Sequence, residues 1–219
     1  MSWSIRPREA LTEPEVDAML AIHRSLYAGV DEARFRRDLA AKDEVVLVRS
    51  PEGAVVGYTT LEVKAGVLFS GDTGMAREAW GSSALQVGWL SAALRWHDRL
   101  GPLDWLLLAG GARTYRYLPL FFTEHWPRPE VPTPPEVAAR IDALALARWG
   151  TAYDAGVVAL GEPPLRPELD VPRPHDPADR FFREANPGWA RGDELVCLTR
   201  VSRDNLTSAG RRILRAATP

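Results

Sequence analysis

Residues 66–109 constrain the fold most, because they contain a short apolar strand, a polar loop, a helix and a second apolar strand in succession. Residues 67–69 (VLF) predict the first strand, and residues 71–74 (GDTG) are turn formers that would end it. Residues 104–109 (DWLLLA) predict a second strand that is buried on both faces. Because a helix connects the two strands, they are predicted to be parallel neighbours in one sheet.

The helix between these strands is predicted to begin at residues 81–83 (GSS) and to be buried on more than one side. A serine at the N-cap accepts a hydrogen bond from a backbone N–H group that has no acceptor within the helix. The remaining free N–H groups and the positive end of the helix dipole are suited to binding a phosphate. Apolar residues recur at helical spacing at Leu85, Trp89, Leu90, Ala92, Ala93, Leu94 and Trp96.

Two helices and a β-meander are predicted before this segment. Thr12 and Glu15 form a capping box with Pro14 in the first turn, and Asp31 caps a second, shorter helix. The predicted elements are, in order, a strand near residues 3–5, a helix over 12–27, a helix from Asp31, and strands over 45–48, 54–63 and 66–73.

Two more helices and two more strands are predicted after it. A short helix over residues 112–122 would be disturbed at Pro119. Thr133 is predicted to cap a further helix, with Pro135 at its first position and Glu136 closing the capping box. The later predicted strands are residues 157–160 and 194–201.

The whole chain is predicted to form one domain with a proline-rich C-terminal extension. The prolines from Pro163 to Pro177 predict an extended surface loop that lies over a site. The predicted parts are a core over residues 3–122, a proline-rich connector and extra helix over 126–149, a loop and strand over 150–201, and a peripheral, frayed tail over 202–219.

Composition and charge exclude several classes of protein. The formal net charge is −2 and the basic residues cluster only near the C-terminus, which argues against nucleic-acid binding. No segment approaches the roughly 18 apolar residues of a membrane span, so a cytoplasmic protein without a membrane partner is predicted. The sequence has no Cys/His set with metal-ligand spacing, so no metal is expected. The single cysteine, Cys197, lies in an apolar strand and is predicted to be buried and unreactive.

This order of elements resembles the GNAT-like (GCN5-related N-acetyltransferase) acyl-CoA acyltransferase fold over residues 3–122, and more loosely to residue 201. The resemblance implies an α/β (α+β) fold with a mixed central sheet flanked by helices. It also implies that the strands at 66–73 and 104–109 splay apart beyond their pairing. Acetyl-CoA or another acyl-CoA would be the co-substrate, and a small molecule would be the acceptor. A homodimer is compatible with this resemblance.

In that family, the loop after the fourth strand has the pattern Arg/Gln-x-x-Gly-x-Gly/Ala, and its N–H groups bind the coenzyme A pyrophosphate. The best register here places Trp80 at the first position, Ser83 at the first glycine and Leu85 at the last position. A leucine where close approach favours glycine departs from the pattern and predicts weaker binding of coenzyme A. The predicted cofactor-binding residues are Trp80, Gly81, Ser82, Ser83, Ala84 and Leu85.

The resemblance also suggests catalytic residues. Family members commonly have a tyrosine after the fifth strand that protonates the departing thiolate, and Tyr115 fits that position better than Tyr117. A tyrosine of the core is the structural alternative. Asp72 and Glu62 are the acidic candidates for the base that accepts a proton from the acceptor. The alternatives are that Asp72 forms an Asx turn and that Glu62 is a surface carboxylate.

Three functions are compatible with the sequence. The first is an acyltransferase in which an amine or hydroxyl of a small molecule directly attacks an acyl-CoA or carrier-protein thioester. The second is a GNAT-like protein that binds a ligand or partner without catalysis. The third is a serine hydrolase, because residues 81–84 (GSSA) resemble part of the Gly-x-Ser-x-Gly nucleophile elbow, although Leu85 breaks that pattern.

Overall fold

The computed structural model describes residues 1–161 and 164–215. The strands are β1 (Ser2–Pro7), β2 (Glu44–Arg49), β3 (Val55–Lys64), β4 (Val67–Met75), β5 (Leu103–Ala109), β6 (Tyr153–Asp154), β7 (Val157–Val158) and β8 (Glu194–Val201). Within the described residues they form one eight-stranded sheet in the order β1-β2-β3-β4-β5-β8-β7-β6. The β4–β5 pair is parallel and the other pairs are antiparallel, so the predicted mixed sheet is confirmed.

Helices cover both faces of this sheet. They are α1 (Glu13–Leu26), α2 (Glu32–Ala40), α3 (Ala84–Leu100), α4 (Ala112–Tyr115), α5 (Tyr117–Phe121), α6 (Pro135–Trp149), α7 (Pro177–Ala185) and α8 (Ser208–Arg215). The side chains of β2 alternate between the two faces, as the strand period requires. Val45 and Leu47 pack in the cluster formed with α1 and α2, whereas Val46 and Val48 pack in the cluster formed with α3.

The predicted crossover from β4 through α3 to β5 is confirmed. Residues Val67–Ser70 pair in parallel with Asp104–Leu107, and the pairing ends there. Beyond it, β4 continues for five residues to Met75 while β5 continues only to Ala109. The two strands therefore separate at Ser70, as the GNAT resemblance implies.

A β-bulge marks the same point on the other edge of β4. Thr59 of β3 faces Thr73, and Leu61 faces Ser70, so Gly71 and Asp72 together face the single residue Thr60. Such a bulge bends the strand that carries the extra residue. Gly71 suits this position because a Cβ atom there would lie 2.9 Å from both Lys42 Cε and Thr60 Oγ1. The bulge thus bends β4 where it leaves β5.

Two predicted helix caps are wrong in detail. Ser83 is the N-cap residue of α3, but its ψ of 4° departs from the extended N-cap conformation and its side chain makes no capping bond. Instead, the Ala84 N–H donates to Ser82 Oγ at 3.1 Å. Helix α6 has Pro134, not Thr133, as its N-cap, because Pro135 already occupies the first helical position.

The C-terminal part of the chain is more regular than predicted. Helix α7 was not predicted, since its nine residues have prolines and turn formers on both sides. The expected frayed tail instead contains α8, which follows the fully buried Leu206 and packs against α3 and α5. Glu162, Pro163 and residues 216–219, which include parts of the predicted loop and tail, lie outside the described residues. In the described part of the chain, no helix is long and apolar enough to span a membrane.

The prediction that Cys197 is buried is confirmed. Cys197 lies in β8 opposite Leu107 of β5 and is fully buried. Burial raises the pKa of its thiol well above the ordinary value, so the thiolate form that would react is disfavoured.

Candidate active site

The candidate site consists of two cavities that meet where β4 and β5 separate. The first, the α3-side cavity, has a volume of about 450 Å³ and is lined by Trp80 and by the first turn of α3. The second, the Asp72-side cavity, has a volume of about 300 Å³ and lies between α1, α2 and the end of α6. Tyr27, Thr73 and Thr114 line both cavities. A ligand that lies between the separated strands would therefore contact both.

The α3-side cavity is bordered by cationic side chains. Arg113, Arg116 and Arg173 line it. The Arg113 guanidinium lies over the Trp80 indole, 3.9 Å from the ring centroid, which is within cation–π distance. Trp80 is held in turn by a hydrogen bond that its indole Nε1–H donates to the Met75 carbonyl at 2.8 Å. These contacts hold the Arg113 cation in the cavity lining, which also includes the carboxylates of Asp170 and Asp179.

The start of α3 supplies backbone donors to the same cavity. The first four N–H groups of a helix have no intrahelical acceptor, and here Ser82 Oγ accepts from Ala84. Of the six predicted cofactor-binding residues, Trp80, Ser82 and Leu85 line the cavity. Gly81, Ser83 and Ala84 belong to the same loop and first turn. The structure therefore brings the predicted segment to the cavity, while its role in binding stays a prediction.

Asp72 lines the second cavity because the bulge in β4 places it there. Burial raises the pKa of its carboxyl group to about 6, and the nearby Lys42 cation partly opposes this shift. A carboxylate with this pKa is ionised at neutral pH yet is more basic than an ordinary aspartate. This is the electrostatic state expected of a general base, because catalytic pKa values lie near the working pH.

Glu62, the other predicted base, belongs to an ion-pair cluster beside this cavity. Arg148 of α6 donates to both of its carboxylate oxygens, at 3.0 and 2.5 Å. Lys42 Nζ lies 3.7 Å from Glu62 Oε2, and the Lys42 side chain is only 6% exposed. The Arg148 hydrogen bonds lower the pKa of Glu62, and burial lowers the pKa of Lys42. Glu62 is thus a paired anion, and its catalytic role stays a prediction.

His23 of α1 also lines the Asp72-side cavity. His23 Nδ1 lies 2.8 Å from the Tyr58 hydroxyl, which is completely buried. Burial lowers the pKa of His23 to about 4, so the imidazole is neutral at pH 7. Tyr58 is a neutral phenol, because burial raises its pKa well above the ordinary value. His23 therefore adds an uncharged polar group to the lining of the cavity, and Tyr58 holds it from the buried side.

The two candidate tyrosines have different surroundings. Tyr115 is fully buried, packs against Phe181 and Phe182, and donates its hydroxyl hydrogen to the Pro127 carbonyl at 2.9 Å. Tyr117 is partly buried and lines the α3-side cavity. Burial raises the pKa of Tyr117, so it is a protonated phenol at neutral pH. The role of Tyr115 as an acid stays a prediction, whereas Tyr117 is the tyrosine of α5 that reaches the cavity.

The local structure around the serines differs from a nucleophile elbow. An elbow needs a strand that leads directly into the turn that carries the serine. Here β4 ends at Met75, and a 3-10 turn over Arg77–Ala79 precedes Ser82. The Ser82 hydroxyl also caps the Ala84 N–H group. The serine-hydrolase alternative therefore lacks its structural basis.

The described part of the proline-rich loop lies over both cavities, as the sequence predicted. Leu165 pairs with Tyr27 as an isolated β-bridge and lines both cavities. The Ala28 N–H donates to the Pro164 carbonyl at 3.1 Å, and the Arg166 N–H donates to the Leu26 carbonyl at 2.9 Å. These bonds attach the loop to the end of α1.

Sequence reasoning missed three cationic residues of the site. Lys42 follows α2, Arg113 lies in α4 and Arg148 lies near the end of α6. No short motif connects residues so far apart in the chain, and each was indistinguishable from an ordinary surface cation. Only the fold brings Lys42 and Arg148 to the same carboxylate.

The parallel β4–β5 pair, its separation and the start of α3 at the resulting cleft are the features that the GNAT-like resemblance implies. No protein-family model and no curated protein matches the chain. Among solved structures, the chain is similar to a ribosomal-protein-S18-alanine N-acetyltransferase from Escherichia coli, with 11% identity over 91% of this chain and 94% of that chain, at a TM-score of 0.47. It is also similar to a GNAT family N-acetyltransferase (YhbS) from Escherichia coli in complex with CoA, with 13% identity over 53% of this chain and 68% of that chain, at a TM-score of 0.43. A third similar structure is an acyl-CoA N-acyltransferase from Pseudomonas aeruginosa, with 19% identity over 48% of this chain and 77% of that chain, at a TM-score of 0.38.

Proposed function

We propose that this protein transfers an acyl group from an acyl-CoA thioester to an amine or hydroxyl group of a small molecule. The observation that supports this most is the junction of two chemically different cavities at the point where β4 and β5 separate. One cavity has donors for phosphate groups, and the other has a carboxylate with a raised pKa. A thioester placed at the junction would face an acceptor in the second cavity.

The α3-side cavity would bind the coenzyme. Its phosphates would accept hydrogen bonds from the N–H groups at the start of α3, and Arg113 and Arg173 would neutralise their charge. The pantetheine arm would then extend along the edge of β4 that β5 leaves beyond Ser70. Backbone N–H groups do not depend on side chain, so this binding mode tolerates the absent glycines of the family pattern.

In the Asp72-side cavity, Asp72 would accept the proton of the attacking amine or hydroxyl, directly or through a water molecule. The new bond forms between the acceptor nitrogen or oxygen and the carbonyl carbon, and the carbon–sulfur bond then breaks. Tyr117 would donate its phenolic proton to the departing thiolate. No covalent acyl-enzyme is needed in this direct attack.

Thermal unfolding with acetyl-CoA, free coenzyme A and no ligand tests the binding step. At 100 times its dissociation constant, a ligand of the folded state adds about 2.7 kcal/mol of stability. Turnover is followed as release of the free thiol with a panel of small amines and alcohols. Tyr117→Phe should lower turnover more than the matched Tyr115→Phe control, whose hydroxyl contacts Pro127 instead.

Failure to bind either coenzyme would contradict the proposal. Binding without turnover on any acceptor would favour the second candidate, a GNAT-like protein that binds a ligand without catalysis. The departure of Leu85 from the family pattern is the observation that keeps this candidate open.

A further inference from the structure

The Asp72-side cavity has two cations in its lining that share one carboxylate. Lys42 and Arg148 line the cavity, whereas Glu62, which contacts both, lies outside this lining. The charges of the three groups sum to a single positive charge. One carboxylate of a ligand would neutralise them, whereas a phosphate group, with about −1.5 to −2 charges at pH 7, would leave an excess of negative charge.

The Lys42 ammonium group has hydrogen-bond donors available for such a ligand. Its side chain is only 6% exposed, and its one ion pair within the described residues places Nζ 3.7 Å from Glu62 Oε2. That distance is longer than a normal hydrogen bond, and an ammonium group has three donors. Because a buried cation is unfavourable unless it is paired and hydrogen-bonded, a ligand carboxylate at Lys42 would be stabilising.

Arg148 is held beside Lys42 by the same neighbours. A guanidinium has five N–H donors, and Glu62 accepts two of those of Arg148. The Arg148 guanidinium lies 3.9 Å from the centroid of the Phe69 ring, and Lys42 Nζ lies 4.9 Å from the same centroid. Glu62 and Phe69 thus fix both cations on one wall of the cavity.

This wall lies next to the proposed base. A Cβ atom on Gly71 would lie 3.0 Å from Lys42 Nζ, and Asp72 is the next residue in the chain. Lys42 is also the cation that acts most strongly on the Asp72 carboxyl group. A carboxylate at Lys42 and an amine at Asp72 would therefore be only a few bonds apart, as they are in an α-amino acid.

The remaining charged groups of the described lining are compatible with an amine beside Asp72. Arg34 Nε and Asp38 Oδ2 lie 4.0 Å apart and balance each other. Glu194 adds a carboxylate, and His23 is neutral at pH 7. The protonated amine of an incoming ligand would be attracted to these carboxylates before Asp72 removes its proton.

We propose that the Asp72-side cavity binds an α-amino acid, whose carboxylate contacts Lys42 and Arg148 and whose amine faces Asp72. This inference rests on the proposed function, because the amino acid is the acyl acceptor. Its nitrogen gains the acyl group and loses one proton to Asp72, and coenzyme A leaves as the free thiol. An apolar side chain is favoured, because the rest of the lining includes Leu108, Trp149, Leu160 and Leu165.

The test compares leucine with three analogues on the full chain. Leucinamide and 3-methylbutylamine lack the carboxylate, and 4-methylpentanoate lacks the amine. With acetyl-CoA as donor, thiol release should be about 10- to 100-fold more efficient with leucine than with either amine, the range expected when a hydrogen bond to a charged group is lost. Leucinamide is less basic than leucine and 3-methylbutylamine is more basic, so basicity alone does not place leucine first. In calorimetric titration, 4-methylpentanoate should compete with leucine.

One variant and a matched control locate the carboxylate site. Lys42→Met removes the charge but keeps a side chain of similar length on Phe69. It should lower the preference for leucine over 3-methylbutylamine about 10-fold and abolish competition by 4-methylpentanoate. A purely structural role of Lys42 would lower turnover of both acceptors equally. Arg34→Met removes another cation of the lining and should leave the preference unchanged.

The outcomes separate this inference from the proposed function. Leucine that is bound and used no better than the two amines would overturn the amino-acid assignment and leave the acyltransferase proposal standing. An equal change of preference in Lys42→Met and Arg34→Met would also overturn the assignment. Leucine binding that depends on Lys42, without thiol release from acetyl-CoA, would support the carboxylate site and contradict the proposed function. If Lys42→Met does not fold, the comparison of the four ligands on the wild type still decides the inference.

Discussion

The two halves of the cleft obtain their polar groups in different ways. In the α3-side cavity, the donors are backbone N–H groups at a helix start and arginines of the lining, such as Arg113. In the Asp72-side cavity, the polar groups are partly or wholly buried side chains from separate elements, including Asp72 and Lys42. Backbone donors survive substitution, whereas a buried ionisable group depends on each of its neighbours. Substitutions should therefore affect binding mildly on one side and catalysis strongly on the other.

The largest effect is expected from Asp72→Asn, which removes the proposed base without changing its size. Turnover should fall by about 10²–10⁴, the usual contribution of general base catalysis, while acetyl-CoA affinity is unchanged. Asp38→Asn is the matched control, because Asp38 lines the same cavity. Thiol release and thermal shift measure the two quantities. Equal loss of turnover in both variants would argue against a specific role for Asp72.

The pH dependence of the wild type gives the next largest effect. The raised pKa of Asp72, about 6, means that the carboxylate is mostly protonated at pH 5 and mostly ionised at pH 7. Turnover should rise about 10-fold over this interval and then level off, as the fraction of free base predicts. Kinetics on the wild type between pH 5 and 8 checks this. A flat profile would exclude Asp72 as the base.

The raised pKa of Asp72 also makes the folded protein less stable as the pH rises. Because the folded-state pKa lies above the ordinary value of 3.8, the folded protein binds more protons than the unfolded chain between these values. The contribution of Asp72 to stability is thus present below about pH 4 and lost as the pH rises through 6. The melting temperature of the Asp72→Asn variant should therefore rise relative to that of the wild type as the pH increases through this window. A difference that is independent of pH would contradict the raised pKa.

Glu62→Gln should mainly affect stability. The substitution leaves the buried Lys42 without its carboxylate partner and weakens the two Arg148 hydrogen bonds. The expected loss is about 1–3 kcal/mol in the free energy of unfolding, measured by urea denaturation. If Glu62 were the base, turnover would fall by about 10²–10⁴ in addition to this loss of stability. This variant therefore separates the two carboxylate candidates.

On the α3 side, Ser83→Pro should weaken coenzyme A binding about 10-fold, because it removes one backbone N–H that can bond to a charged phosphate. Proline is tolerated near a helix start, so the fold should persist. Calorimetric titration with coenzyme A measures the affinity. Unchanged affinity would mean that the phosphates bind elsewhere in the cavity.

The smallest effect distinguishes two neighbouring serines. Ser82→Ala should cost about 1 kcal/mol of stability, because Ser82 Oγ accepts from the Ala84 N–H. Ser83→Ala should cost almost nothing, because its side chain makes no capping bond. Thermal denaturation of both variants tests this. The reverse order would mean that the Ser83 side chain, and not that of Ser82, caps α3.

Local sequence patterns predicted most helices and strands, whereas contacts between residues far apart in the chain determine which side chains form the candidate site. The capping box at Thr12 and the crossover from β4 to β5 were predictable because each depends on spacing within a short segment. Helix α8 was not predicted, because its order depends on packing against α3 and α5. The pairing of Glu62 with Arg148, 86 positions later, lies equally beyond local patterns. Asp72 could be predicted as a candidate from its residue type, but the prediction that residues 71–74 end the strand is wrong, because they lie within β4, where the bulge accommodates them.

Because of the bulge, the site depends on how many residues this segment of β4 contains as well as on which residues they are. Gly71 and Asp72 together face Thr60, so deletion of Gly71 would restore regular pairing with β3. Asp72 would then take the position of Gly71, where a Cβ atom lies 2.9 Å from both Lys42 Cε and Thr60 Oγ1. A single-codon deletion would therefore crowd the Asp72 side chain against Lys42 and displace one of them, while every polar residue of the site is retained. Alignments with distant relatives need a gap allowed at this point, because a comparison without one would pair Asp72 with the wrong residue.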